Sequence, residues 1–119
     1  MSTTYVIVDV ETTGLDPQKD AIIEVAAITL RDHDILDEFA SLVNPHRDIP
    51  PMITGMTGIT NEMVADAPTM FTVRTRLRSV LGDCVLVGHN VDFDLGFLNE
   101  ERLGVGNHRL DTITLASIL

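Results

Sequence analysis

Tyr5-Val6-Ile7-Val8-Asp9-Val10-Glu11-Thr12-Thr13-Gly14 is an unbroken apolar run that ends on two carboxylates. Side chains alternate faces along a strand, so Asp9 and Glu11 share a face, roughly 6.5–7 Å apart along it. The run ahead of them is apolar at both parities, which predicts a central strand buried on both sides. Two acids projecting from such a strand repel each other and resist desolvation. A bound divalent cation would resolve both problems; a solvated strand end is the plain alternative.

Thr13–Pro17 reads as a loop, with Gly14 free to turn and Pro17 stiffening the exit. Ala21–Leu30 is a second apolar strand, interrupted by Glu24, for which the sequence offers no role. A turn at residues 31–34 returns the chain as a third strand over Ile35–Val43. Connections this short make the three strands an antiparallel meander. Residues 44–51 hold three prolines and stay extended, and Met52–Met56 and Asn61–Val64 each have room for one helical turn.

Thr69 is the predicted N-cap of a helix reaching about Leu81, with Met70, Val73, Leu77, Val80 and Leu81 on its apolar face. Val85–Gly88 follows that helical crossover and is expected to run parallel to the first strand. A second helix is expected over Asp92–Leu103, ended by Gly104 and Gly106. A third, Thr112–Leu119, capped by Asp111 or Thr112, stops in mid-pattern on Ala116, Ile118 and Leu119. The order describes an α/β layered fold on a mixed sheet, three antiparallel strands then a parallel one, truncated at its C-terminus.

With 119 residues the chain is one domain or part of one. A net charge of −10 repels a long phosphate backbone and argues against a duplex-coating or membrane-surface protein. It leaves room for an enzyme that grips only a chain end through metal ions. Cys84 is the only cysteine, so no internal disulfide forms, and a reducing, cytoplasmic setting fits. Its apolar neighbours predict a buried, inert thiol. No segment has the length of a membrane span.

A second acidic site lies in Gly88-His89-Asn90-Val91-Asp92-Phe93-Asp94-Leu95-Gly96-Phe97-Leu98. Asp94, Phe97 and Leu98 stand at i, i+3 and i+4 and share a helix face. Phe97 and Leu98 must face the core, so Asp94 is carried to its edge. If the fourth strand lies beside the first, Asp94 converges on Asp9 and Glu11. Asp92 sits on another face, as an N-cap or in solvent.

These two stretches together resemble the first two motifs of the DEDD exonuclease superfamily, in the branch that includes the proofreading epsilon subunit of bacterial DNA polymerase III and ribonuclease T. Asn44-Pro45, Ile49-Pro50 and Thr57-Gly58-Ile59-Thr60 are similar to the connecting loop of that family, and Leu110-Asp111-Thr112 to the segment opening its next helix. The resemblance implies a ribonuclease-H-like mixed sheet with helices on its faces, and a 3′–5′ exonuclease of the DNA proofreading or repair type. It implies two Mg²⁺ or Mn²⁺ ions. Asp9 would bridge both, Glu11 would serve the ion carrying the attacking water, and Asp94 the other. Backbone groups around Thr12, Thr13 and Gly14 would hold the terminal nucleotide, with Leu15 wedged against its base and Ile59, His89 and Asn90 nearby. The implied partners are a single-stranded 3′ end of DNA or RNA, and a polymerase subunit or fused helicase; a homodimer is left open.

The third motif of the family, His-x-x-x-x-Asp, supplies a general base and a fourth carboxylate. No such pattern follows Asp94: five residues after His108 stands Ile113. The expectation is therefore residues 1–119 as the N-terminal portion of an exonuclease domain, with motifs one and two and catalytically incomplete alone. The alternative is a non-catalytic module docking onto a polymerase or helicase. Plainer readings also stand: Asp94 as a helix acid favoured by the dipole, His89 bonded to a loop carbonyl, Thr12–Gly14 as an ordinary turn and Leu15 tucked onto the core. Asp111 reads as a helix cap rather than a metal ligand, and Met52, Met56, Met63 and Met70 as packing.

Overall fold

The chain builds a five-stranded sheet in the order β3-β2-β1-β4-β5, seen in a computed structural model that describes residues 3–103 and 106–113. Strand β1 (Thr4–Thr12) pairs antiparallel with β2 (Ile22–Arg31), which pairs antiparallel with β3 (Asp34–Leu42). Helices α1 (Pro51–Thr57), α2 (Asn61–Ala65) and α3 (Met70–Leu81) follow. Then β4 (Val85–Gly88) returns parallel to β1, α4 (Val91–Glu100) crosses, and β5 (Arg109–Asp111) adds a parallel edge. The meander and the parallel fourth strand are as the sequence predicts. The expected terminator Gly104, and the third helix beyond Ile113 with Ala116, Ile118 and Leu119, lie outside the described residues.

Helices α3 and α4 pack on one face of the sheet. Val6, Val8, Val10, Val25, Ala27 and Leu86 meet Val73, Leu77, Val80, Leu95, Phe97 and Leu98 in one core. The opposite face is only partly covered: Ile7 is 40% exposed, and Asp9 on the same face is exposed too. The expectation that β1 is buried on both sides is corrected here. Its apolar parity reflects cross-strand neighbours, since Ile7 lies beside Ile28 and Val87. A smaller core of Ile23, Ile49, Ile59 and Val64 gathers under α1 and α2. A bulge makes both cores possible: Glu11 pairs with Glu24 but Thr12 with Ile22, so Ile23 is the extra residue. Ile22 enters the larger core and Ile23 the smaller.

Local chemistry sets the element ends. Thr69 and Thr60 accept from the amides of Thr72 and Met63 and cap α3 and α2. Helix α4 stops at Glu100, before the expected Leu103, because Arg102 turns left-handed (φ 58°). Cys84 is half-buried against the main core rather than enclosed. Edge strand β3 presents Asp34, Ile35, Leu36 and Glu38 to solvent, while Arg76 of α3 grips Asp37 with two 3.0 Å bonds. No helix among the described residues is long and apolar enough to cross a membrane.

This packing ranks two substitutions. Leu77→Ala, at a fully enclosed position, should cost about 2–5 kcal/mol of unfolding free energy. Thr69→Ala, which removes only a cap, should cost about 1 kcal/mol. Urea denaturation of the two variants checks the order.

Candidate active site

Strand β1 delivers the first two acids and α4 the third. Past Ile7 the β1–β4 pairing ends, and the end of β1 lies against α4. The Val10 N–H, between Asp9 and Glu11, donates to the Asp94 carboxylate. That one bond fastens motif to motif. Asp94 is 3% exposed, and its Oδ2 has no hydrogen-bond partner. Gly88 leaves it room: a Cβ there would stand 3.3 Å from Oδ2 and 3.0 Å from Val91 Cγ2.

Burial, and then the Asp9 charge, push the Asp94 carboxyl up from 3.8 to about 7; the Val10 bond opposes this and Glu11 and Asp111 add to it. Glu11 is raised as well, first by burial, then by Asp9, then by Glu24. Glu24 lies directly across from Glu11 on β2. The residue without a role in the sequence thus deepens the negative field.

The donor set is all hard oxygen, suited to Mg²⁺, Mn²⁺ or Ca²⁺ rather than to softer metals. No trio of His, Cys, Asp or Glu among the described residues is preassembled as a closed metal cage. Mg²⁺ does not need one, because it keeps several waters and takes one or two carboxylates plus substrate phosphate. An orphaned buried carboxylate oxygen beside two further acids fits such an ion.

Next to the acids lies an open cleft. Glu11, Thr12, Gly14 and Leu15 form one wall, Ile53, Met56 and Thr57 of α1 another, and Asn90 and Phe93 the third. Leu15 is 83% exposed, projecting beside the cleft rather than tucked onto the core. Thr12 turns its hydroxyl to the Gly14 carbonyl. Gly14 is required by close approach, since a Cβ would sit 2.6 Å from Asp20 Cγ.

Three expected residues do not line the cleft. Thr13 is buried, its N–H spent on the Ala21 carbonyl and its hydroxyl on Asp20 and the Ala21 N–H. Ile59 is 3% exposed in the smaller core, its carbonyl taken by Thr54 Oγ1. His89 is exposed, with Nδ1 2.8 Å from Thr112 Oγ1. In their place the structure brings Ile53, Met56, Thr57 and Phe93. Met56 is a correction to packing: α1 buries no residue, and Met52 and Met56, one turn apart, both stay exposed. The available signal was a helix of 7 residues opening on Pro51 and carrying Met52, Ile53 and Met56, too short to need all three for its own packing.

The raised Asp94 carboxyl sets a pH dependence. The folded state binds this proton more tightly than the unfolded chain, so the ionisation penalty is absent below about 4 and grows as pH rises to about 7. Asp94→Asn removes the penalty. In metal-free buffer its stability advantage over the parent should widen from pH 4 to 7, read by thermal melts at each pH.

An exonuclease family model, RNase_T, matches residues 6–116. The PolC-type DNA polymerase III of Staphylococcus haemolyticus is 44% identical over 118 residues, and that of Staphylococcus aureus 43%. Each alignment covers 95% of this chain, and the chain spans 8% of the length of those relatives. Exonuclease X, solved with 5′-overhanging duplex DNA, superposes with a TM-score of 0.78 at 32% identity, over 96% of this chain and 63% of its own. Product-bound exonuclease I gives 0.83 at 19% identity, over 98% and 31%, a likeness of fold. A family match over nearly the whole length, on a site built from two acidic motifs, establishes that the chain belongs to the RNase_T family of exonucleases.

Proposed function

We propose that this domain removes nucleotides from 3′ ends, with Asp9, Glu11 and Asp94 holding two divalent ions, Mg²⁺ or Mn²⁺. The observation that carries the reading is the Val10–Asp94 bond, which seats a buried, half-satisfied carboxylate between the two acids of β1. Ions bound there would activate water and offset charge at the scissile phosphate. The protein's own part is to supply fixed anionic oxygens and to orient the chain end.

Orientation falls to the cleft. Leu15, Ile53, Met56 and Phe93 offer apolar contact to a terminal base, which suits a frayed single strand better than a stacked pair. A chain of net charge −10 gains little from the phosphates of a duplex, so affinity concentrates at the metal-bound end. The PolC-type relatives support placing the domain in DNA replication or repair, beside a polymerase. Glu24 and Asp111 are further carboxylates in this field, but the His-x-x-x-x-Asp pair of the family's third motif has no counterpart among the described residues. His89 Nδ1 is engaged by Thr112, and His108 is exposed near β5.

The competing reading is a non-catalytic module that docks onto a polymerase, favoured by the lack, among the described residues, of a preassembled trio of metal-ligating side chains. It requires no ion at Asp9. Calorimetry with Mn²⁺ separates the two, because only the metal-dependent reading gives binding that Asp9→Ala abolishes.

For activity, the natural full-length protein is given a 5′-labelled single-stranded oligonucleotide with Mg²⁺ or Mn²⁺. Asp9→Ala should lower hydrolysis from the 3′ end by at least ~10²-fold; retained activity would sink the assignment. Leu15→Ala and Met56→Ala should each raise KM by roughly 3- to 10-fold with less change in kcat, since each removes about 1 kcal/mol of apolar contact.

A further inference from the structure

We propose that Asp111 is the positioning residue for Asp94: from β5 its carboxylate caps α4 across a gap of twenty residues and sets where the third acid stands. The inference rests on the metal centre proposed above.

Helix α4 has no cap of its own. Asn90, at the N-cap, is left-handed (φ 64°, ψ 54°), and its side chain makes no capping bond. Successive N–H groups around a left-handed residue form a concavity that binds anions. Here the anion is part of the chain. The Asn90 N–H donates to Asp111 Oδ1 at 3.1 Å and the Val91 N–H to Oδ2 at 3.1 Å. The Ile113 N–H reaches the same Oδ1 at 2.9 Å. Thr112 continues the splint, donating from Oγ1 to the Gly88 carbonyl at 3.4 Å and standing 2.8 Å from His89 Nδ1. Gly88 is also the register partner of Asp111. Every residue from Gly88 to Val91 is therefore tied to the Asp111–Thr112 pair.

Asp94 stands three residues past Val91, about 4.5 Å along the helix axis. Val91, Phe97 and Leu98 hold the helix's side chains in the core, and the Asp111 bonds fix the backbone at its start. A metal ligand must be held within about 0.5 Å of its working place, and loss of such outer support typically weakens metal binding 10–100-fold. Both Asp111 oxygens accept from amides, which is the work of a cap. Asn at this position keeps Oδ1 for two of the three amides and loses only the Val91 bond. A ligand role would make Asp111→Asn as damaging as Asp111→Ala.

The experiment pairs Mn²⁺ calorimetry with amide hydrogen exchange at Val10, whose N–H reports the seat of Asp94 without any metal. Asp111→Ala should weaken Mn²⁺ binding ~10–100-fold and strip protection from Val10, while α3 amides keep theirs. Asp111→Asn should fall between, a few-fold weaker than the parent. Parent-like Mn²⁺ affinity and Val10 protection in Asp111→Ala overturn the proposal, as does an Asn variant no better than Ala. If Asp111→Ala does not fold, the Asn variant decides: a few-fold loss with weakened Val91 and Val10 protection supports it, and no change in either overturns it. A parent that binds no Mn²⁺ sinks the metal centre itself, while Val10 exchange still decides what Asp111 does.

Discussion

One carboxylate buried beside two others is the constraint on which this structure turns. Asp94 cannot escape to water, because Phe97 and Leu98 hold its helix against the sheet. It cannot find a cation among side chains, because the acids around it share its sign. The fold compensates with a main-chain amide from Val10, a glycine at 88 that leaves space, and a protonation equilibrium moved toward neutrality. Each compensation is incomplete, and Oδ2 stays unpaired. Incompleteness of this kind is stable only where the rest of the domain is well packed, as the enclosed Val6, Leu77 and Leu86 layer is.

Residues that follow a period were legible in the sequence. Alternation put Asp9 and Glu11 on one face, and the i, i+3, i+4 rule put Asp94 with Phe97 and Leu98. The helical crossover made β4 parallel. What lacked a period was invisible. Strand β5 is three residues, Arg109-Leu110-Asp111, and exists because β4 offers a partner, with nothing in its own composition to announce it. Helix α4 begins one residue earlier than Asp92 because its cap comes from Asp111, which no local capping rule reaches. Asp92 instead lies in solvent and pairs with Arg109 at 2.8 Å.

Loop side chains were the other gap. Ile59 and Met56 are three residues apart and both apolar, yet one is enclosed and the other lines the cleft. The difference lies in Thr54 and Thr57, whose hydroxyls bond the Ile59 carbonyl and amide and draw that residue inward. Thr12 and Thr13 are both buried, and only the first borders the cleft. Asp20 and Ala21 claim the second of the pair, leaving the first beside the cleft. Short polar side chains that bond the backbone decide such pairs, and hydrophobicity alone does not distinguish them.

Strand β3 has a consequence for how the domain behaves in company. A long outer strand with free backbone groups is a template on which a second molecule can assemble. Here Asp34 and Glu38 stand exposed along it, and Asp37 is held half-covered by Arg76. Like charges on two such edges keep them apart while the carboxylates are ionised, and acidification removes that insulation. The strand at the other rim is too short to recruit a neighbour. Charge on one rim and brevity on the other each weigh against edge-to-edge pairing of the sheet.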